Sequence, residues 1–175
     1  MSADEKKAFY TNAYNAMAID VVLERYPIKS IMDVDGAFRK IRRRIGGEEL
    51  SLDDVENRLR ILNDARFHFA IVCASESCPA LAPRAYTAGT VGTAFDRQAR
   101  AFVNDRRRNV FDRRNEKVAL SRIFDWNRKE FQAEAGSVAK YVARFVTDTA
   151  TARWLASAAA PAPSFLEYDW ALNQR

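Results

Sequence analysis

Residues 66–73 have the sequence Arg-Phe-His-Phe-Ala-Ile-Val-Cys, the most strand-like stretch of the chain. Its residues are mostly aromatic or aliphatic, and apolar side chains would fall on both faces of an extended backbone. Strands in the middle of a sheet, covered on both sides, have this composition. We therefore predict a central strand over 66–73, followed by a loop over 74–83 that carries Ser75, Ser77 and Cys78.

Long helices are predicted on either side of this strand. Ser2 and Glu5 have the spacing of a capping box, so a helix should begin there and run to about Tyr26, where Pro27 ends it. A second helix, over about 88–104, has apolar residues at helical spacing. Each helix has an apolar face that can pack on the central strand.

Two hairpins complete the predicted fold. Gly46-Gly47 supplies a turn within residues 38–52, and a polar turn separates two apolar runs within 110–120. The order of helices and hairpins predicts an α+β fold: a single compact domain over residues 1–175, with a small, mainly antiparallel sheet packed by helices. By analogy, a papain- or transglutaminase-like arrangement would place a helix beside an antiparallel sheet that bears a histidine.

Serines mark the starts of further helices. Ser51 or Asp53 should cap a short helix that ends near Leu62, and Ser137 should open one that could continue through Trp154. The aromatic residues within 165–170 are expected to fold back on the core.

Composition excludes several classes of protein. The chain has 175 residues, with 28 Lys and Arg, 23 Asp and Glu, two Cys and one His, and its 48% hydrophobic residues exclude a disordered chain. One histidine and two cysteines exclude a His-rich metal site and a disulfide scaffold, and no nucleotide-binding motif is present, so we expect no metal and no cofactor. No apolar stretch is long enough for a membrane span and the N-terminus lacks a secretory signal, so we expect a cytoplasmic protein.

Five runs of residues resemble, in the same order, the bacterial members of one family. The runs are Ala-Phe-Tyr-Thr-Asn-Ala-Tyr-Asn-Ala (8–16), Leu-Ser-Leu-Asp-Asp-Val-Glu-Asn (50–57), Ala-Arg-Phe-His-Phe-Ala-Ile-Val-Cys-Ala-Ser-Glu-Ser-Cys-Pro (65–79), Leu-Ser-Arg-Ile-Phe-Asp-Trp (120–126) and Tyr-Asp-Trp-Ala-Leu-Asn (168–173). The family is domain of unknown function 547, and the resemblance implies no established activity. Some relatives join the domain to glutaredoxin-like or leucine-zipper segments, which implies thiol chemistry or partner binding.

The chain departs from the family pattern in two ways. Val55-Glu56-Asn57 stands where the family usually has Ile-Glu-His, so a general base at that position would be lost. Family members also usually have a further segment before the Asn-x-Tyr-Asn helix, so we expect this chain to lack an N-terminal part of the fold.

Cys73 and Cys78 are the candidate thiols, and His68 is the one histidine that could activate either of them. In a regular strand, five residues place His68 and Cys73 on opposite faces, about 16 Å apart, which makes Cys78 the better partner. The two cysteines could also form a disulfide across the loop. Alternatively, Cys73 and His68 are ordinary buried residues, which is the commoner situation.

Asn12, Asn15 and Glu56 belong to elements expected to pack around His68, and buried polar groups must find partners. A site of this kind would hydrolyse or transfer an acyl or amide group of a small molecule or peptide, as a cysteine hydrolase does. His68 would be the acid and base, Glu56 would orient it, and the two asparagines would bind the substrate or its oxyanion. The same groups could instead form a structural hydrogen-bond network.

Arginine-rich hairpins lead to a second hypothesis. Lys40, Arg42 and Arg44 should share one strand face, where Arg42 and Arg44 could bind an acidic protein, a peptide or a nucleic acid. A charged hairpin edge that prevents strand pairing is the alternative. Asn57, in place of the family's histidine, favours this non-catalytic binding module over an enzyme.

Overall fold

The computed structural model describes residues 1–173, which form two compact units. The first unit comprises residues 1–95 and 169–173, and the second comprises residues 96–168. Within the described residues there are seven α-helices and two small sheets, of two and three strands. The α+β class and the mainly antiparallel pairing are therefore confirmed, while the single domain over 1–175 stays a prediction.

Helix α1, Ala3–Leu23, begins with the predicted capping box. The Ser2 hydroxyl accepts the backbone N–H of Glu5 at 3.2 Å, and the Glu5 carboxylate accepts the backbone N–H of Ser2 at 2.6 Å. The helix ends at Leu23 rather than near Tyr26, because a residue that precedes proline is driven out of the helical conformation. Its buried residues recur every three to four positions, which gives it one broad inward face.

The predicted hairpin at Gly46-Gly47 is confirmed. Strands β1, Arg43–Ile45, and β2, Glu48–Leu50, pair antiparallel, with φ of 61° at Gly46 and 92° at Gly47. Two successive positive φ angles define the turn that suits a two-residue hairpin, and glycine adopts them without steric cost.

Helix α2, Leu52–Arg60, follows the hairpin at once, capped by Ser51 as predicted. The hydroxyl and backbone N–H of Ser51 both reach the Asp54 carboxylate, at 2.8 and 3.0 Å. Helix α2 packs against α1 with Leu52, Val55 and Leu59 buried. The hairpin and the two helices therefore enclose the core of the first unit.

The predicted central strand over 66–73 is wrong. Ala65–Phe69 form a 3-10 helix, in which the backbone N–H of Ala70 bonds to the carbonyl of Phe67 at 2.8 Å. The Asp64 side chain accepts the backbone N–H of Arg66 at 3.4 Å and so starts this helical turn. A short apolar run satisfies either conformation when it is buried on all sides, and periodicity alone does not separate them.

The second unit contains helix α3, Val91–Val103, from residue 96 onward, followed by the predicted polar hairpin. Strands β3, Val110–Asp112, and β4, Lys117–Leu120, pair antiparallel, and the short strand β5, Ser164–Phe165, joins β4 in parallel.

Four short helices complete the second unit. They are α4, Arg122–Trp126; α5, Arg128–Ala135; α6, Val138–Ala143; and α7, Thr149–Ala156. The prediction that the helix after Ser137 continues through Trp154 is wrong, because Asp148 caps a new helix by accepting the backbone N–H of Thr151 at 2.7 Å.

A buried ion-pair cluster at Asp64 holds α1 and the 3-10 helix together. The Asp64 carboxylate contacts Lys7 Nζ at 2.8 Å and the Arg66 guanidinium at 2.7 Å, and its side chain is 9% exposed. Burial raises the pKa of Asp64, but the hydrogen bonds from Arg66 and Lys7 outweigh it, and the resulting pKa lies below the ordinary value. Asp64 is therefore ionised in the folded protein at neutral pH.

We expect Asp64→Asn to lower the free energy of unfolding at pH 7 by about 1.5 to 3 kcal/mol, since charged hydrogen bonds of this strength are lost. The pKa of Asp64 is lower in the folded than in the unfolded protein. Its stabilisation is thus complete above the unfolded pKa of about 3.9 and disappears as the pH falls through the folded pKa. Urea unfolding of wild type and variant should therefore converge in acid.

The matched control is Asp35→Asn, which removes an exposed ion pair with Lys40. Exposed pairs contribute little, so this variant should unfold like the wild type at pH 7. An Asp64→Asn variant as stable as the control, or equally destabilised at every pH, would contradict the role of the Asp64 cluster.

Candidate functional site

Asn15 pairs with backbone as a neighbouring strand would. Its side-chain amide donates to the carbonyl of Ala70 at 2.9 Å, and its carbonyl oxygen accepts the backbone N–H of Val72 at 2.9 Å. The side chain is buried, and residues 70–72 are not part of a sheet. The two bonds from Asn15 therefore satisfy main-chain groups of Ala70 and Val72 that no strand pairs with.

Asn12 repeats this arrangement one helical turn earlier. Its amide donates to the carbonyl of Tyr86 at 2.8 Å and its carbonyl oxygen accepts the backbone N–H of the same residue at 2.9 Å. Both asparagines thus hold the loops that surround α1. The predicted role of Asn12 and Asn15 in substrate binding stays a prediction, and the contacts described for them are with backbone.

The two sulfur atoms lie in the thiol loop, residues 73–78. Cys73 and Cys78 are both reduced and buried, with their Sγ atoms 3.0 Å apart. Cys78 Sγ also accepts the backbone N–H of Cys73 at 2.8 Å, and Cys73 Sγ lies 3.1 Å from the Ser75 hydroxyl. The two cysteines, which could have formed a disulfide, are free thiols in direct contact.

Backbone geometry folds the thiol loop on itself. Ala74 has a φ of 59°, a left-handed conformation that residues with a Cβ seldom adopt. The backbone N–H of Cys78 then bonds to the carbonyl of Ser75 at 3.0 Å. This tight turn returns the chain so that Cys78 reaches the amide of Cys73.

The segment 169–173 runs antiparallel to the thiol loop and is bonded to it. The backbone N–H of Glu76 bonds to Ala171 at 2.8 Å, and that of Asn173 to the Ala74 carbonyl at 3.0 Å. The Ser77 hydroxyl accepts the backbone N–H of Asp169 at 2.9 Å.

Trp170, in the same segment, packs edge-on against Phe38 at 6.3 Å and contacts the core of the first unit. The expectation that the aromatic tail folds back on the core is therefore confirmed for Trp170.

Tyr14 is a site residue that the sequence analysis missed. It is 3% exposed, and burial raises its pKa well above the ordinary value, with smaller increases from electrostatic interactions with Glu56, Cys73 and Cys78. These interactions reach Tyr14 from α2 and from the thiol loop. The available signal was its place between Asn12 and Asn15, two polar residues on the inward side of the helix.

His68 and Glu56 lie on different elements of the first unit. His68 is buried in the 3-10 helix, and its ring packs on that of Phe67 with 3.9 Å between the centroids. Glu56 is half-buried on α2, forms an ion pair with Arg60 and acts electrostatically on Tyr14. The acid–base role of His68 and the orienting role of Glu56 stay predictions.

Asn57, at the place of the family's histidine, is exposed on α2, whereas the neighbouring Val55 is buried. In this chain the position faces away from the core of the first unit. The polar groups near the thiol loop therefore come from α1 and from Glu56, and not from Asn57.

Ion pairs occupy most of the cations of the first hairpin. Arg42 contacts Asp54 at 3.1 Å and donates to the carbonyl of Glu49 at 2.7 Å. The predicted strand face shared by Lys40, Arg42 and Arg44 is wrong, because β1 begins only at Arg43. Arg44 is exposed, and within residues 1–173 it forms no ion pair.

The part of the chain that the structure describes contains neither a metal-ligand cluster nor a membrane-spanning helix. Among residues 1–173, no group of three or more His, Cys, Asp or Glu side chains is placed to hold a metal ion. None of the helices in that part of the chain has both the length and the apolar character required to cross a membrane.

The family described as "Protein of unknown function, DUF547" matches residues 1–103. The chain belongs to this family. The matched region contains Asn12, Tyr14, Asn15 and the thiol loop, so the geometry above is that of a DUF547 domain. No curated protein and no solved structure matches the chain. Bacterial origin, a missing N-terminal segment and a papain- or transglutaminase-like arrangement stay predictions.

We expect Asn15→Ala to destabilise the DUF547 domain by about 1 to 3 kcal/mol, since the buried N–H of Val72 loses its bond to Asn15 and the Ala70 carbonyl keeps only the 3.4 Å bond from the Tyr86 hydroxyl. Asn12→Ala is the matched comparison, and it should cost less because Asn12 is half-buried and water can replace its bonds. Chemical denaturation measures both. Equal losses, or a negligible loss for Asn15→Ala, would contradict the strand-like role of the Asn15 side chain.

Proposed function

We propose that the first unit is a thiol-dependent enzyme that transfers or hydrolyses an acyl or amide group, with the sulfur of Cys78 as nucleophile. The observation that supports this choice is the pair of hydrogen bonds that Cys78 Sγ accepts. One comes from the backbone N–H of Cys73 at 2.8 Å and the other from its S–H at 3.0 Å. Hydrogen bonds to the charged form of a group favour that form, and the thiolate is the reactive form of cysteine.

Burial acts in the opposite direction. Cys78 is 3% exposed, and removal from water disfavours a thiolate. The two donors belong to Cys73, whose backbone is fixed by the tight turn of the thiol loop, so they need no reorganisation when charge develops on Cys78. The balance between burial and these two hydrogen bonds sets the pKa of the Cys78 thiol, and that pKa tests the proposal.

Tyr14 is the proposed hydrogen-bond donor to the oxyanion. Its raised pKa keeps the phenol protonated at neutral pH, so that it retains an O–H to donate. A neutral donor stabilises the negative charge of a tetrahedral intermediate without competing for the proton of the nucleophile. The carboxamides of Asn12 and Asn15 are bonded to backbone, which makes Tyr14 the better candidate.

In the proposed reaction, the Cys78 thiolate attacks the carbonyl carbon of an ester or amide, and the oxyanion accepts a hydrogen bond from Tyr14. The bond to the leaving group then breaks, and the leaving oxygen or nitrogen takes a proton from His68, which Glu56 orients. Water or an acceptor nucleophile cleaves the resulting thioester and returns a proton to His68. The substrate is a small molecule or peptide that carries the acyl or amide group.

We expect iodoacetamide to alkylate Cys78 with an apparent pKa below the ordinary value of about 8.5. The rate is measured against pH by mass spectrometry of the Cys78 peptide. Cys73→Ala removes the S–H donor but keeps the backbone N–H, so the apparent pKa should rise. Cys73→Ser restores a donor and should bring the pKa back towards the wild-type value. An apparent pKa of 8.5 or more in the wild type would contradict the proposal.

The rate of acylation by an activated ester distinguishes the role of Cys78 as nucleophile from that of Tyr14 as oxyanion donor. A small activated ester such as p-nitrophenyl acetate should acylate Cys78 in the wild type and leave Cys78→Ala unmodified. Tyr14→Phe should slow acylation by about 10²-fold, the usual loss for one oxyanion donor, while the alkylation pKa of Cys78 does not rise. An unchanged acylation rate in Tyr14→Phe would remove Tyr14 from the mechanism.

Binding of an acidic protein, peptide or nucleic acid is a second candidate function, and the exposed Arg44 favours it. Arg42, already paired with Asp54, has less charge to offer a partner. If this function holds, heparin or DNA should bind at low salt, and Arg44→Glu should weaken binding more than Arg42→Glu. Absence of binding at low salt would exclude it.

A further inference from the structure

The second thiol of the loop, Cys73, is not needed as a nucleophile for acyl transfer. Only one nucleophile is needed, yet Cys73 places a second sulfur 3.0 Å from Cys78 Sγ. As a donor, Cys73 could be replaced by serine. Two thiols in contact have a chemistry that a serine and a thiol do not have, which is the formation of a disulfide.

We propose that the Cys73–Cys78 pair reduces hydroperoxides, with a disulfide across the thiol loop as the oxidised state. The proposal rests on the Cys78 thiolate of the proposed function but uses a different substrate. A hydroperoxide is small, which suits a pair of thiols that are 8% and 3% exposed. Cys78 is the attacking sulfur because it accepts both hydrogen bonds, and Cys73 is the resolving sulfur because it lies in contact with Cys78.

The reaction has two balanced steps. The Cys78 thiolate attacks the terminal oxygen of the hydroperoxide and the O–O bond breaks. The alkoxide (or hydroxide, from hydrogen peroxide) that leaves takes up one proton, which balances the proton that Cys78 released on forming the thiolate, and departs as an alcohol or water. This step gives a sulfenic acid at Cys78. The Cys73 sulfur then attacks the Cys78 sulfur, the S–O bond breaks, and the hydroxyl leaves as water with the Cys73 proton. The thiols lose two electrons in total, and the hydroperoxide gains them.

Surrounding hydrogen bonds fit the second step. The Ser75 hydroxyl lies 3.1 Å from Cys73 Sγ, on the sulfur that must give up a proton. A disulfide requires the sulfurs to approach to about 2.05 Å, which is a movement of about 1 Å from their present contact.

The loop backbone is held from outside by segment 169–173 through Ala74 and Glu76, so these bonds persist while the side chains join. An external thiol reductant would cleave the disulfide by exchange and restore both thiols.

The test treats the full chain, fully reduced, with an equimolar amount of hydrogen peroxide. We expect the wild type to lose both thiols to maleimide labelling, to form one intramolecular disulfide between the Cys73 and Cys78 peptides, and to recover both thiols with dithiothreitol. In Cys73→Ser, dimedone should trap a sulfenic acid at Cys78. In Cys78→Ser, oxidation of Cys73 should be slower by about tenfold or more, since the backbone N–H of Cys73 is aimed at the side chain of residue 78 and not at its own sulfur.

Three results would overturn the proposal: a wild type that keeps both thiols, one that forms only disulfides between chains, or equal oxidation rates in the two single variants. The outcome is separable from that of the proposed function. A low alkylation pKa at Cys78 without a disulfide contradicts the peroxide reaction alone. An intramolecular disulfide with a low alkylation pKa, but no acylation by the ester, contradicts acyl transfer alone. An ordinary alkylation pKa at Cys78 contradicts both.

Discussion

The carboxamide of Asn15 forms the pair of main-chain hydrogen bonds that a neighbouring strand would otherwise form. It bonds to the carbonyl of Ala70 and the N–H of Val72, so the chain leaves the 3-10 helix in a fixed direction just before Cys73. The turn at Ala74 and the bonds to segment 169–173 then bring Cys78 back to the Cys73 amide. The contact between the two sulfurs therefore depends on hydrogen bonds to the main chain, the first of which come from the Asn15 side chain on α1.

Local signals in the sequence predicted much of the secondary structure correctly. The capping box at Ser2, the helix cap at Ser51 and the Gly46-Gly47 turn depend on neighbouring residues alone, and each is present. The strand over 66–73 failed because burial on all sides permits a helical turn as readily as a strand. The backbone of Ala70 and Val72 bonds to Asn15, more than fifty positions away, and a partner so distant in sequence cannot be predicted from a local pattern.

The contact between the two candidate thiols also depends on backbone conformation that the local sequence does not determine. Cys73 and Cys78 were recognised from residue type, but their contact requires the left-handed φ of Ala74, which the sequence does not signal. Tyr14 was missed because a tyrosine at helical spacing looks like core. The one local signal is its place between Asn12 and Asn15, whose side chains bond to backbone on either side of it.

We propose that the two bonds from the Asn15 side chain hold the thiol loop in the geometry that makes Cys78 the thiolate. The most direct test is the pH titration of the Cys78 Cβ resonance, followed by carbon NMR in cysteine-labelled wild type and Asn15→Ala. We predict a midpoint below about 8.5 in the wild type and a higher midpoint in folded Asn15→Ala, because the Cys73 amide is no longer held against the sulfur. The same midpoint in both proteins, or one at or above 8.5 in the wild type, would contradict the account.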